Sequence, residues 1–149
     1  MYTDRSQKAM AFHKQGYNCA QSVAMAFADV YDMSEAQMAR TMAAFGSGMA
    51  GLKGTCGAVS ALVMLAGLDQ SSPHGTSGSS RANILAKQLI QSFVDRCGSA
   101  ICGVLLGSNQ STLLYNAAQV DTGQTCPLGC NAKVGVAAEI FAQYLDNRH

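Results

Sequence analysis

Charge is scarce in this chain. Of 149 residues, 13% are Asp, Glu, Lys or Arg, and ten basic against nine acidic side chains leave a formal charge of +1. There is no basic run to follow a phosphate backbone and no acidic tail, so nucleic acid is not an expected partner. A long apolar run is missing too. The longest, Ala58 to Leu68, has about half the length that a membrane-spanning helix needs, which argues against membrane insertion and for a buried core helix. The N-terminal stretch MYTDRSQKAMAFHKQGYNCAQ lacks the uninterrupted apolar segment of a secretory signal. A cytoplasmic protein is expected.

Strand signals are equally thin: no segment alternates apolar and polar residues with β-branched enrichment, and no internal repeat appears. What the chain does have is 48% hydrophobic residues, enough for one domain over 1–149 with a core of its own.

Helical spacing dominates that apolar content. A first helix is expected from about Asp4 to Gln15, ending at Gly16. Ala20, Val23, Ala24, Phe27, Val30 and Tyr31 mark a second, with Asn18 as N-cap and Gln21 as its capping-box partner. Ser34 and Gln37 repeat that signature ahead of Met38, Met42 and Phe45, and Gly46 stops the helix. Thr55 is the expected cap of a helix from Cys56 to Leu68, whose apolar residues point all round and call for other helices around it. The serine- and glycine-rich stretch from Asp69 to Ser80 reads as a solvated loop. Beyond it Ala82, Leu85, Ala86, Leu89 and Phe93 mark a helix ending near Gly98, Ser99 can cap a short one carrying Cys102, and Val134, Ala137, Ala138, Phe141, Tyr144 and Leu145 mark the last. The expected fold is all-α, a bundle of about five to seven helices around the one starting at Cys56.

On that map four of the six cysteines fall at helix starts: Cys19, Cys56, Cys102 and Cys130. Unbonded N–H groups and the positive end of the helix dipole lower the cost of a thiolate there, although a small apolar cysteine can also land at such a place by chance. In a reducing compartment six cysteines point to metal binding or redox chemistry, whereas in an exported protein three structural disulfides would be the plain alternative. Spacing divides the redox chemistries. No C-x-x-C pair, the usual mark of thiol-disulfide exchange, is present; the nearest pairs are Cys97 with Cys102 and Cys126 with Cys130. Four separated thiols suit a four-thiolate site, and without paired C-x-x-C knuckles an iron-sulfur cluster, [2Fe-2S] by preference, is favoured over structural zinc. If no metal is held, Cys126 with Cys130 and a reactive Cys56 are the catalytic candidates.

Glycine is concentrated beside Cys56. Gly46, Gly48 and Gly51 spell G-x-G-x-x-G, but a helix rather than a strand precedes them, so NAD is not expected. Gly51, Gly54 and Gly57 could let backbone N–H groups approach Cys56 or a bound cluster, or could simply allow a tight loop and close helix packing.

The segments GYNCAQSV, FGSGMAGLKGTCGAVSALVMLAGL, FVDRCGSAICGVLLG and CNAKVGVAAEIF, in this order, resemble the redox-active family called C_GCAxxG_C_C. The resemblance covers nearly the whole chain and implies that Cys19, Cys56, Cys102 and Cys130 are the signature cysteines, with Cys97 and Cys126 outside the pattern. The glycine that usually closes the central block is Ala61 here. A related module occurs in split-Soret type cytochromes with an iron-sulfur centre beside haem, which supports the cluster. Haem itself is not expected, because no C-x-x-C-H attachment site is present.

Other residues carry less. His13, His74 and His149 read as surface histidines, Lys53 as a solvated loop lysine, and the methionines, among them Met25, Met38, Met42, Met49 and Met64, as filler of a helical core. No electron donor, acceptor or substrate is named by the sequence. A helical domain with an apolar face left over would pair with a second copy, so a homodimer is expected.

Overall fold

The computed structural model describes residues 2–72, 77–105 and 130–148. Among these, seven α-helices form and no strand beyond one isolated bridge: α1 (Arg5–Lys14), α2 (Cys19–Met25), α3 (Glu35–Thr41), α4 (Gly57–Gln70), α5 (Ser79–Cys97), α6 (Cys102–Leu105) and α7 (Asn131–Asn147). The all-α architecture is as expected.

Local chemistry sets several boundaries. The Asn18 side chain accepts from the Gln21 N–H while the Gln21 side chain accepts from the Asn18 N–H, and Ser34 and Gln37 do the same for α3. Both capping boxes therefore form. Gly98 takes a left-handed φ of 93° and closes α5 by bonding back to Val94.

Long-range contacts override local chemistry at three points. The expected helix from Ala20 to Tyr31 stops at Met25 and tightens into a 3-10 turn, Ala28–Tyr31. The Arg5 guanidinium takes the Ala26 carbonyl at 2.7 Å, the acceptor that the Val30 N–H would need in a continuing helix, and Val30 bonds to Phe27 instead. Thr55 does not cap α4. Cys56 itself occupies the N-cap, because its N–H donates to Ala100 at 2.7 Å and holds residues beside it extended. Nor is α4 enclosed on all sides: α2, α5 and α7 cover Ala58, Ala61, Leu62, Leu65 and Ala66, whereas Val63 and Leu68 are exposed.

The core lies where α2, α4, α5 and α7 meet. Phe27 packs edge-on against Phe141 with ring centroids 5.0 Å apart, and Met38 and Met42 fill the space beneath α3. At the far end of α4, Asp69 accepts hydrogen bonds from the hydroxyls of Tyr31 and Tyr144 and pairs with Arg148. Burial first, and the Asp69 carboxylate second, hold the Tyr31 hydroxyl far above its ordinary ionisation range. This clasp ties the C-terminal ends of α4 and α7 together, away from the cysteines.

Candidate functional site around the buried cysteines

Cys56 and Cys102 are joined through the backbone. Thr55 and Ile101 form an antiparallel bridge, flanked by the Cys56 N–H on Ala100 at 2.7 Å and the Cys102 N–H on Gly54 at 2.6 Å. Side chains alternate along such a ribbon, so Cys56 and Cys102 leave it on the same face, opposite to Thr55 and Ile101. The loop before it is wound unusually. Residues Ser47, Gly48, Met49, Ala50 and Gly51 all have positive φ, between 50° and 76°, and Lys53 follows at 62°. Runs of left-handed residues are disfavoured sterically, and the surrounding hydrogen bonds hold this one: Ala50 N–H to Ala44, Gly51 N–H to Gly46 and Gly54 N–H to Gly48. At Gly48 a Cβ would lie 2.5 Å from the Gly54 nitrogen and 2.7 Å from the Cys102 Cβ, so only glycine fits beside Cys102.

The starts of α2 and α4 touch. A Cβ at Gly57 would stand 3.0 Å from the Ala20 nitrogen and 3.3 Å from its Cβ, a close approach one residue after Cys19 and Cys56. Close helix packing is thus what Gly57 supplies, while the N–H groups of Gly51 and Gly54 bond to loop carbonyls. Ala61, in place of the usual glycine, is fully buried.

His13 connects Cys19 to the start of α7. Expected at the surface, it is only 4% exposed, because it falls four residues after the fully buried Ala9 on the inward side of α1. Its Nε2 lies 3.8 Å from the Cys19 Sγ, and its Nδ1 lies 3.2 Å from the side-chain amide of Asn131, the residue after Cys130. The i, i+4 spacing from Ala9 was the available signal, but α1 is weakly amphipathic by sequence and gave no clear inward side. His74 and His149 lie outside the described residues.

All four signature cysteines are buried: Cys19 is 3% exposed, Cys56 and Cys102 each 6%, and Cys130 8%. They occupy the first position of α2, the N-cap of α4, the first position of α6 and the N-cap of α7. Close approaches run from the ribbon that carries Cys102 and Cys56, through Gly57 and Ala20, the residues after Cys56 and Cys19, and from Cys19 through His13 to Asn131, the residue after Cys130. Among the described residues, however, no three Cys, His, Asp or Glu side chains surround a point that could hold a single metal ion. Cys97, at the end of α5, is half-buried, and that burial raises its thiol above the ordinary range against the opposing pull of Lys133 and Arg96. Cys126 lies outside the described residues.

The family model described as "Putative redox-active protein (C_GCAxxG_C_C)" matches residues 17–144. The chain belongs to this family. All four signature cysteines lie within the matched C_GCAxxG_C_C region, whereas α1 with His13 precedes it. No curated protein and no solved structure matches the chain.

Among the described residues no helix is long and apolar enough to cross a membrane.

Proposed function

We propose that this C_GCAxxG_C_C protein is a small electron-transfer protein of a reducing compartment, the cytoplasm, whose Cys19, Cys56, Cys102 and Cys130 hold a [2Fe-2S] cluster. The observation that carries the reading is the burial of four cysteines at helix starts whose neighbouring residues approach one another, through the ribbon of Cys56 and Cys102, through Gly57 and Ala20, and through His13. Their chemistry suits the group. Such a centre takes four thiolates, two to each iron, so it needs pairs of cysteines rather than four donors around one ion, as structural zinc does. When bound, the cluster supplies a one-electron couple. The chain's own part is to exclude water from the sulfurs and to set positive helix ends, those of the long α4 and α7 above all, towards their negative charge. Gly57 belongs to this reading through the close packing of α4 on α2 beside Cys19 and Cys56, and Gly51 and Gly54 through the wound loop that leads into Cys56.

Serine in place of each cysteine tests it. Ser at position 19, 56, 102 or 130 should bleach or shift the visible spectrum of anaerobically purified protein, while Cys97→Ser leaves it unchanged. A spectrum indifferent to all four substitutions would overturn the assignment.

A second reading is favoured by the common face of Cys56 and Cys102: a metal-free thiol protein in which two sulfurs join as a disulfide, releasing two electrons and two protons to an acceptor. Cys126 with Cys130, and Cys56 as the reactive thiolate, are the candidates that the sequence supplies for it. Differential alkylation before and after reductant separates it from the first, since only this reading predicts a cysteine pair that changes state in iron-free protein.

A further inference from the structure

The contacts of His13 fix more than its position. Asn131 Nδ2 has two hydrogens and two acceptors within reach: the Met10 carbonyl at 3.0 Å and His13 Nδ1 at 3.2 Å. Turning the amide over would set its oxygen against the Met10 carbonyl oxygen, so the amide group keeps its NH2 towards both. His13 Nδ1 therefore accepts, and in the neutral ring the proton sits on Nε2, which faces the Cys19 Sγ at 3.8 Å.

From this geometry we infer that His13 is a positioning residue for the redox centre, locked by Asn131 as an Nε2–H donor to the Cys19 sulfur. The inference rests on the reading that Cys19 belongs to that centre. It goes beyond the family pattern, because α1 and His13 precede the matched residues. The chemistry follows from charge. An N–H aimed at sulfur stabilises whichever state carries more negative charge there, and in the cluster reading, the one that includes Cys19, that is the reduced cluster. The donor therefore raises the midpoint potential. Its lock also matters, since an imidazole of the other tautomer would turn a lone pair on the sulfur and act in the opposite direction.

Two measurements test this. Long-range proton–nitrogen NMR of the imidazole in the full chain reads the tautomer directly and does not depend on any activity. The expected result is a protonated Nε2 and an accepting Nδ1 in the native protein, with Asn131→Ala giving a mixture of the two tautomers. A protonated Nδ1 in the native protein would overturn the lock. Redox titration of His13→Leu should then show the reduced form disfavoured by about tenfold, about 59 mV for a one-electron couple, and His13→Gln, which restores an N–H donor, should recover most of it. An unchanged potential in a folded His13→Leu protein refutes the tuning role, as does an equal loss in His13→Gln. A native protein without any redox couple would sink the functional reading, and the tuning role with it, whereas the imidazole spectrum would still decide the lock.

Discussion

Replacing Gly48 by Ala probes the close approach at Cys102. Gly48 has a φ of 76°, and an added Cβ would meet the Gly54 nitrogen at 2.5 Å, the Lys53 Cα at 2.6 Å and the Cys102 Cβ at 2.7 Å. Two of these are backbone atoms and cannot swing aside. The left-handed conformation alone costs a residue with a Cβ about 1–2 kcal/mol. Overpacking adds about 1–3 kcal/mol, for a total of about 2–5 kcal/mol. Gly16 supplies the control: its φ is 108°, but nothing lies within 4 Å of an added Cβ. Gly16→Ala should show the conformational part only, about 1–2 kcal/mol. For a chain of this size each kcal/mol lowers the melting temperature by about 2–4 °C. Urea unfolding of the two variants should therefore differ by about 1–3 kcal/mol at an unchanged slope, with Gly48→Ala the weaker. Because the clash involves the cysteine itself, Gly48→Ala should also speed alkylation of Cys102 in the folded state, and Gly16→Ala should not. Equal destabilisation by the two substitutions would refute the close approach.

Three further outcomes are expected. Asp69→Ala leaves the Tyr31 hydroxyl without its acceptor in a half-buried place and should cost about 1–3 kcal/mol in urea unfolding, with no change in the visible spectrum if the clasp is separate from the cysteines. Alkaline stability should fall as pH rises above the ordinary tyrosine range: Tyr31 and Tyr144 keep their protons in the folded chain, the unfolded chain loses them first, and so the native state is progressively disfavoured. Tyr31→Phe should reduce that dependence, as followed by unfolding at a series of alkaline pH values. Gly57→Ala, which crowds Ala20 where α2 crosses α4, should destabilise by about 1–3 kcal/mol and disturb Cys19 and Cys56 together, measured as parallel increases in their alkylation rates.

What could be read from the sequence was what neighbouring residues decide among themselves. The capping boxes at Asn18 and Ser34 need only residues three apart, and the apolar spacing of α5 and α7 needs only the helical period. The break after Met25 depends on Arg5, 21 positions away from Ala26, and the displacement of Thr55 from its cap depends on Ala100 across the ribbon. Neither partner is marked locally. At the candidate site the helix start at Cys19 was legible from its capping box, and those at Cys56 and Cys130 from the apolar runs that follow them, but the links between them were not. The inward aim of His13 and its contact with Asn131 span 118 positions, and the left-handed loop from Ser47 to Gly51 contains Met49 and Ala50, residues with no local preference for that conformation.

The most direct test of the account is the metal and sulfide content of protein purified without oxygen. A [2Fe-2S] centre on Cys19, Cys56, Cys102 and Cys130 predicts coloured protein with iron and acid-labile sulfide in equal amounts, about two of each per chain. Colourless protein that takes up neither iron nor sulfide on reconstitution, or that binds zinc alone, would contradict it.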